Sequence, residues 1–328
     1  MTSRISIIIP SYNQGIYIEK TLSSLFDQNY PNLEVIVMDG GSSDSTIDIL
    51  KKYNNEITYW ISEPDNGQSD AINMGLKIAT GEICNWLCSD DYLEPGSLKK
   101  IGEAFTDKEI NVVTGNVRVF DNKDLDFIKE GTLVYESLAE TIATSVNIQP
   151  VTFFRLQHFK DSGLLSENLH YFMDKELWMK FLFHNGQKGV KTLDCTIAHY
   201  LLHPQSKTFQ EMDPEMFDPK SKFKIDNNTI FHHLAQRVDN QKQVNIIASL
   251  TDSILNDYKF NFISDFDKNL TAQVVDIYLY HEAKKNFYKK KYRKCISIMK
   301  TINQSNLTIA YQKDLSYLKK KSLINYLF

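Results

Sequence analysis

Short apolar runs alternate with amphipathic segments through the first third of the chain. Each run is rich in β-branched residues and predicts a buried strand, and the segments between runs carry apolar residues at helical spacing. This alternation predicts an α/β fold with a Rossmann-like, mostly parallel sheet flanked by helices. The predicted strands are Ile5–Ile9, which Pro10 is expected to stop, Leu33–Met38, Ile57–Ile61 and a run that begins at Ile83.

The alternation ends after a helix predicted from about Ser97 to Phe105. The apolar runs Asn111–Phe120 and Leu125–Ile128 predict mixed or antiparallel strands, which indicates a sheet whose second half is built differently. We expect residues 1–208 to form the α/β domain and residues 209–328 to form a helical C-terminal extension. The acidic, Pro-containing segment 212–219 is expected to be a linker or a lid.

Acidic residues follow two of the predicted strands at their carboxyl ends. Asp39 ends the second strand, and the adjacent pair Asp90 and Asp91 follows the fourth. Parallel sheets bind ligands beyond the carboxyl ends of their strands, and adjacent carboxylates repel unless a cation or a hydrogen-bonding ligand lies between them. The pattern indicates a ligand crevice at this edge. A simple polar turn stays open as the alternative, because Ser and Asp are ordinary turn residues.

The charge of the chain is mild overall and uneven along its length. The 37 Lys and Arg against 41 Asp and Glu give a formal net charge of −4, which argues against nucleic acid as a partner. Residues 281–321 in contrast hold 12 basic and 2 acidic residues, a local charge of +10. The basic run Lys284–Lys294 predicts contact with an anionic membrane surface, at about 1 kcal/mol per basic residue. A solvated basic helix face is the alternative.

Cysteine usage and hydropathy point to a reducing compartment. The four cysteines have neither zinc-ligand spacing nor the density of a secreted disulfide framework, so we expect reduced, mostly buried thiols. The apolar run at the N-terminus is too short for a secretory leader, and no run reaches the length of about 18 uncharged residues that a membrane span requires. We therefore expect a cytoplasmic location, with any membrane contact peripheral and at the inner face of the cell membrane.

Six short motifs resemble those of the family 2 glycosyltransferases, whose nucleotide-sugar-binding fold is called GT-A. Each motif alone is weak evidence, but their common order within residues 4–208 makes the resemblance specific. It implies an enzyme that uses a nucleoside-diphosphate sugar, of the type that assembles bacterial surface polysaccharides. The motifs are Ile-Ile-Ile-Pro-Ser-Tyr-Asn at 7–13, Val-Met-Asp-Gly-Gly-Ser-Ser-Asp-Ser-Thr at 37–46, Asp-Asn-Gly-Gln-Ser-Asp-Ala-Ile-Asn-Met-Gly at 65–75, Ala-Thr-Gly-Glu-Ile at 79–83, Ser-Asp-Asp at 89–91 and Met-Asp-Lys-Glu-Leu-Trp at 173–178.

The resemblance implies a donor site at the ends of the first two strands. Asp39 would accept the imide N–H of the nucleobase, usually uracil, and Tyr12 and the backbone around Pro10 would lie beside the ring. Tyr12 is otherwise a loop aromatic that covers the sheet edge. Asp70 and Asn73 match the segment of the family that contacts the donor; a solvated helix face is the alternative for both.

The resemblance also implies a divalent cation, Mn²⁺ or Mg²⁺, which bridges the two phosphates of the donor. Asp91 would ligate this cation, while Asp90 would contact the ribose or share the metal. His203 stands where related enzymes place a His near the phosphates, although a lone His is commonly structural. Cys88 is a departure, because many members carry an acid there and the site here has one carboxylate fewer.

Asp174 matches the acid that acts as general base in inverting members of the family. It would accept a proton from the hydroxyl of a glycan or a lipid-linked acceptor as that oxygen attacks the anomeric carbon. The residue before it, often Glu in the family, is Met173. The alternative is a structural acid, because an acid in the first turn of a helix favours the helix dipole by about 0.3 to 1 kcal/mol.

Two other functions fit parts of the pattern. A sugar nucleotidyltransferase shares a similar fold, but no Gly-rich, Arg-containing loop follows the first strand to hold a triphosphate. A catalytically silent protein that binds nucleotide sugars or acts as a scaffold would use the helical tail as its working surface. Asp174 argues against the silent alternative, since a protein without turnover needs no base.

Overall fold

A computed structural model of the chain describes residues 2–121, 123–210, 221–251, 255, 258 and 267–327, and the segment predicted as a linker or lid at 212–219 lies outside them. The described strands form one nine-stranded sheet. They are β1 (Ile5–Ser11), β2 (Leu33–Asp39), β3 (Tyr59–Ser62), β4 (Ile83–Trp86), β5 (Tyr92–Leu93), β6 (Val112–Asp121), β7 (Asp126–Lys129), β8 (Thr152–Arg155) and β9 (Val190–Leu202).

Thirteen α-helices accompany the sheet in the described part of the chain. They are α1 (Ile18–Phe26), α2 (Thr46–Lys52), α3 (Gln68–Ile78), α4 (Ser97–Ala104), α5 (Leu138–Thr144), α6 (Leu156–Asp161), α7 (Met173–Asn185), α8 (Lys207–Gln210), α9 (Lys222–Arg237), α10 (Gln241–Ala248), α11 (Lys268–Tyr288), α12 (Tyr292–Met299) and α13 (Ile309–Leu327).

The strands lie side by side in the order β3-β2-β1-β4-β8-β6-β9-β5, and β7 pairs with β6. The half from β3 to β4 is parallel throughout, as the β-α alternation predicts. From β4 onward the pairing is mixed, because β8 runs antiparallel to both β4 and β6 while β6 and β9 are parallel. The predicted mixed character of the second half is therefore confirmed.

The first strand does not stop at Pro10, which corrects the expected boundary. β1 continues through Pro10 to Ser11, and Pro10 pairs in register with Met38. The carbonyl of Ile8 points toward β4, where it accepts the N–H of Leu87. The backbone nitrogen of Pro10, two residues later, points to the same side of β1, but β4 has already ended at Trp86. A proline is tolerated where no neighbouring strand needs its missing N–H.

The core lies on both faces of this parallel half. Ile5, Ile7 and Ile9 pack on one face with the apolar stripe of α1. On the other face α3 packs against Ile8, and a Cβ added at Gly75 would lie 2.5 Å from Ile8 Cγ2. Gly75 therefore lets the α3 backbone approach the sheet closely, and this approach holds the start of α3 beside the carboxyl ends of the strands.

The chain divides into two compact units. The first holds Met1–Val134 and Val146–Gln210, and the second holds Tyr135–Ser145 together with Glu211–Phe328. Helix α5 thus belongs with the C-terminal helices, where the Tyr311 hydroxyl donates to the Glu140 carboxylate. A functional boundary near residue 208 stays a prediction. Among the described helices, none combines the length and the apolar character needed to cross a bilayer.

Candidate active site

Asp39 is the last residue of β2, and two serines hold its carboxylate in place. Ser42 donates its backbone N–H to Oδ2 (2.8 Å) and its hydroxyl to Oδ1 (2.5 Å), and the Ser62 hydroxyl donates to Oδ2 (2.6 Å). Asp39 is 2% exposed, so these bonds fix its orientation. A carboxylate has about four lone-pair positions, which leaves one for a further N–H donor such as that of a pyrimidine imide.

The end of β1 lies next to Asp39 and carries the predicted aromatic. Ser11 pairs in register with Asp39, Pro10 is buried one position earlier, and Tyr12 follows with 61% of its surface exposed. The Ser11 hydroxyl is buried and has no hydrogen-bond partner in the described part of the chain. In a parallel pair of strands, the residue that ends β1 lies opposite the residue that ends β2. This rule could have predicted from the sequence that Ser11 lies beside Asp39 in the site.

The loops after β1 and β2 are tied to each other by polar side chains. Asn13 has a left-handed backbone (φ 52°), which Asn tolerates better than most residues. Its Oδ1 accepts the N–H of Ser43 (2.9 Å), and its own N–H donates to the Ser42 hydroxyl (2.7 Å). Asp44 and Thr46 accept the N–H groups of Gly15 (2.9 Å) and Gln14 (3.0 Å) in the same way. The loops around Asp39 are therefore organised without a ligand.

The acid pair lies in a turn after β4 that α1 holds in place. The Thr21 hydroxyl reaches the carbonyl oxygens of Ser89 (2.9 Å) and Asp91 (2.7 Å). Asp91 is fully buried; its Oδ1 accepts the Leu201 N–H over a long 3.4 Å, and its Oδ2 has no partner among the described residues. Burial raises the pKa of Asp91 well above its usual range, and the charge of Asp90 raises it further. A bound cation would compensate both effects.

Asp90 faces the end of β9. His203, just after that strand, places Nε2 at 2.9 Å from Asp90 Oδ2 and Nδ1 at 3.0 Å from Gln205 Oε1. The Tyr17 ring packs on the imidazole with centroids 4.4 Å apart. The hydrogen bond to Asp90 raises the pKa of His203, against a smaller opposite effect of burial. The structure therefore brings the predicted residues His203 and Asp90 together.

Cys88 completes a cluster of three potential metal ligands. One ligand atom from each of Cys88, Asp90 and Asp91 lies within 4.8 Å of the other two. The Cys88 sulfur also accepts from Gln68 Nε2 (3.3 Å), and Lys207 Nζ donates to Gln68 Oε1 (3.0 Å). Two carboxylates and the orphaned Asp91 oxygen suit Mg²⁺ or Mn²⁺, while a thiol is a softer donor. The residues present therefore fit a divalent cation.

Asp174 lies in the first turn of α7, where its Oδ1 accepts the Lys175 N–H (2.7 Å). Burial raises the pKa of Asp174 to about 6, although the bond to Lys175 and the charge of Lys207 oppose the rise. Burial raises the pKa of the Cys88 thiol, and the charges of Asp91, Asp90 and, to the smallest extent, Asp174 raise it further. The Asp174 carboxyl is neutral below about pH 6 and a proton acceptor above it.

The two residues predicted on α3 differ in their surroundings. Asp70 Oδ2 accepts from the Asn66 backbone N–H (3.0 Å) and side-chain amide (3.1 Å), so it braces the loop before the helix. Asn73 is 3% exposed, and its amide pairs with both the N–H and the carbonyl of Leu165 at 3.0 Å. The solvated-face alternative is wrong for Asn73, because its amide anchors a buried backbone segment, while the donor contact stays a prediction.

Besides Ser11, sequence reasoning missed four polar residues of this site. Ser42 and Ser62 hold Asp39, and Gln68 and Lys207 connect the start of α3 to Cys88. Ser42 lies within the motif at 37–46, but the motif alone assigns it no role. Gln68 and Lys207 are 139 positions apart, and no local pattern relates them.

Acids beyond the carboxyl edge of a parallel half-sheet lie where open α/β proteins bind their ligands. A family model described as Glycosyl transferase family 2 matches residues 6–179, more than half of the chain, and the chain belongs to this family. The predicted family and the GT-A fold class are confirmed.

Individual relatives match different shares of the chain. An uncharacterized glycosyltransferase of Rickettsia typhi is 31% identical over 202 residues, 54% of this chain and 58% of that protein. The chondroitin synthase of Pasteurella multocida is 25% identical over 98% of this chain and 36% of the synthase. The chain thus spans only part of the length of these relatives. S. aureus TarS 1–349 in complex with UDP-GlcNAc has a TM-score of 0.62 at 18% identity. The likeness covers 98% of this chain and 89% of the TarS 1–349 chain, and it shows the fold alone.

Proposed function

We propose that the protein transfers a sugar, with inversion, from a nucleoside-diphosphate sugar to a hydroxyl of a glycan or lipid-linked acceptor. The observation that carries the proposal is the buried Asp91 oxygen, which has no partner among the described residues and lies in a cluster with Cys88 and Asp90. Family membership supports the reaction class. The chondroitin synthase and the hyaluronan synthase among the relatives support a role in polysaccharide assembly.

We assign the nucleoside end of the donor to Asp39, Tyr12, Pro10 and Ser11. The remaining acceptor position of Asp39 suits the imide N–H of uracil, and the exposed Tyr12 ring offers a stacking face. A UDP-sugar is therefore the proposed donor, and the UDP-GlcNAc bound to TarS supports this choice. Asp70 supports the loop before α3 in this proposal and does not need to touch the donor.

The proposed diphosphate end lies at the acid turn. Asp91, Asp90 and His203 would hold Mn²⁺ or Mg²⁺, with Cys88 at the margin of the site. When bound, such a cation offsets the negative charge that develops on the departing diphosphate. The chain itself contributes orientation, because Thr21 fixes the turn and Tyr17 packs on the His203 ring.

Asp174 is the proposed general base. Its carboxylate accepts the proton of the acceptor hydroxyl while that oxygen bonds to the anomeric carbon. The bond from that carbon to the diphosphate oxygen breaks on the opposite face, and the nucleoside diphosphate leaves with the electron pair. The raised pKa of Asp174, about 6, makes it a stronger proton acceptor than an ordinary Asp and leaves it ionised at neutral pH.

A panel of nucleotide sugars, each with and without Mn²⁺, tests the proposal by thermal shift and by release of nucleoside diphosphate. A ligand at about 100 times its dissociation constant stabilises by about 2.7 kcal/mol, a readily measured shift. The expected result is UDP release that Asp174→Asn lowers by at least about 100-fold and Asp48→Asn retains. The Asp48 side chain is 85% exposed on α2. Donor binding with no turnover for any acceptor would instead favour the silent nucleotide-sugar-binding protein.

Membrane docking by Lys284–Lys294 at the inner face of the cell membrane, with a cytoplasmic active site, stays part of the proposal. The structure divides this basic run, because Lys284 pairs with Asp314 (3.1 Å) and Lys285 with Glu282 (3.4 Å) inside the helical unit. Lys290, Lys291 and Arg293 form no ion pair with a described carboxylate, and these are the residues of the run proposed to contact a partner. Flotation with neutral and anionic liposomes tests docking, and equal recovery on both would end the idea.

A further inference from the structure

The helical unit carries an open cavity of about 680 Å³. Residues near the end of α10, the turn that precedes α12, the first turns of α12 and the last turn of α13 line it. Its volume falls within the range of about 300 to 1,000 Å³ typical of small-ligand sites. All of its lining residues belong to the helical unit, and none of them is a residue of the candidate active site.

The cavity is strongly cationic. Lys290, Lys291, Arg293 and Lys294 line it, and no acid is among its ten lining residues. Lys294 donates to the Ser249 carbonyl (2.8 Å), which closes one wall. Lys290, Lys291 and Arg293 form no ion pair with any described carboxylate, unlike Lys284 and Lys285 earlier in the same run. The positive end of the α12 dipole adds to this charge, so an anionic ligand is favoured.

The backbone keeps a lysine at the cavity where a glycine would fit without strain. Lys290 has φ 59° and follows α11, with its N–H donated to Phe287 (2.9 Å) and the Lys291 N–H donated to Asn286 (2.9 Å). This pair of bonds is the helix ending that Gly commonly occupies. A cation held in left-handed backbone beside two others points to a binding role for the side chain.

The remaining lining favours a sugar chain over a flat membrane. Tyr292 and Tyr326 supply aromatic rings with polar tips, and Ser297 and Asn325 supply a hydroxyl and an amide. Rings pack on the apolar faces of sugars, while hydroxyl and amide groups pair with sugar hydroxyls.

We propose that this cavity binds an anionic oligosaccharide segment, with carboxylate- or sulfate-bearing sugars, of the acceptor glycan. The proposal rests on the proposed function only in naming that segment as acceptor. The cations would pair with the acidic groups of the sugar chain, and the tyrosines would pack on its rings. None of the cavity residues is near Asp174 in the sequence. The cavity would therefore hold the growing glycan without taking part in the chemical step.

Binding is tested on the full chain by titration with a uronate-containing hyaluronan oligosaccharide and with a neutral chitin oligosaccharide of equal length. We expect the uronate probe alone to bind at low salt and to weaken as salt rises. Lys291→Glu/Arg293→Glu should weaken it at least about tenfold, since two charged donors are lost. Lys319→Glu/Lys320→Glu, the same charge change on exposed lysines of α13 outside the cavity, should bind like the parent protein.

Three results would overturn the site: equal affinity for both probes, uronate binding that survives Lys291→Glu/Arg293→Glu, or binding to anionic vesicles with none to the oligosaccharide. The last would favour a membrane instead. Circular dichroism verifies that each variant is folded. UDP-sugar binding measured on the same variants separates this proposal from the proposed function, because each can fail while the other stands.

Discussion

The Nε2 atom of His203 lies 2.9 Å from Oδ2 of Asp90, although the two residues are 113 positions apart. Asp90 follows the parallel strand β4, and His203 follows β9 in the mixed half of the sheet. The two halves therefore meet at the proposed diphosphate site. An acid from one half and an imidazole from the other can share one cation only while this sheet is intact.

His203→Phe should weaken Mn²⁺ binding by about 10- to 100-fold, the usual cost of losing an outer or direct metal contact. Phenylalanine keeps a ring for Tyr17 to pack on and removes both nitrogens. Isothermal titration with Mn²⁺ in the presence of UDP measures the effect. Asp48→Asn is the control, and unchanged Mn²⁺ affinity in His203→Phe would remove His203 from the site.

The pH dependence of turnover should show a limb near pH 6. Burial raises the pKa of Asp174 to about 6, so the base is protonated and inactive below that value and ionised above it. Turnover at saturating donor should therefore rise with pH through about 6 and then level off. Asp174→Asn should lower turnover by about 10² to 10⁴-fold with donor affinity retained. A limb near pH 4, or none, would contradict the assignment.

Asp39→Asn should weaken UDP binding by about 10- to 100-fold, because an amide presents a donor where the imide N–H needs a charged acceptor. Ser62→Ala removes one of the three bonds that hold Asp39 and should cost less. Calorimetric titration with UDP compares both variants with the parent protein. Equal UDP affinity in Asp39→Asn would show that the uracil ring does not bind at Asp39.

Asn73→Ala should destabilise the protein and leave UDP affinity unchanged. The substitution leaves the N–H and carbonyl of Leu165 without their partner, at a cost of about 1 to 3 kcal/mol in the free energy of unfolding. Denaturant unfolding measures the loss. Lys77→Ala, on the exposed face of the same helix, should change stability little. Loss of UDP affinity in a folded Asn73→Ala variant would instead support the prediction that Asn73 contacts the donor.

The parallel half of the fold could be predicted from the sequence because each strand there is a local apolar run with its helix beside it. Asp39, Asp90 and Asp91 followed from their places at strand ends. The Pro10 boundary was wrong because a proline breaks a strand only where a neighbour needs its N–H, and where β4 ends is not visible locally. Pairings between distant elements, such as β5 with β9, depend on register and escape local patterns.

Residue-level roles were harder to predict than positions. Asn73 sits in its motif as the family resemblance implies, yet its partner Leu165 lies 92 positions away. Likewise Tyr135–Ser145 departs from the α/β unit to join the C-terminal helices, and nothing in its composition signals that. In each case the deciding contact is long-range, and a single sequence carries no record of it.

Thr21 holds the acid turn from its place on α1, and the loop just before α1 is tied through Gln14 and Gly15 to the loop that follows Asp39. The helix α1 therefore sets the separation between the proposed nucleobase site at Asp39 and the proposed diphosphate site at the acid turn. Under the proposed function, α1 fixes the distance between the sites that bind the two ends of the donor. A donor would then fit best when the distance from its nucleobase to its diphosphate matches this separation.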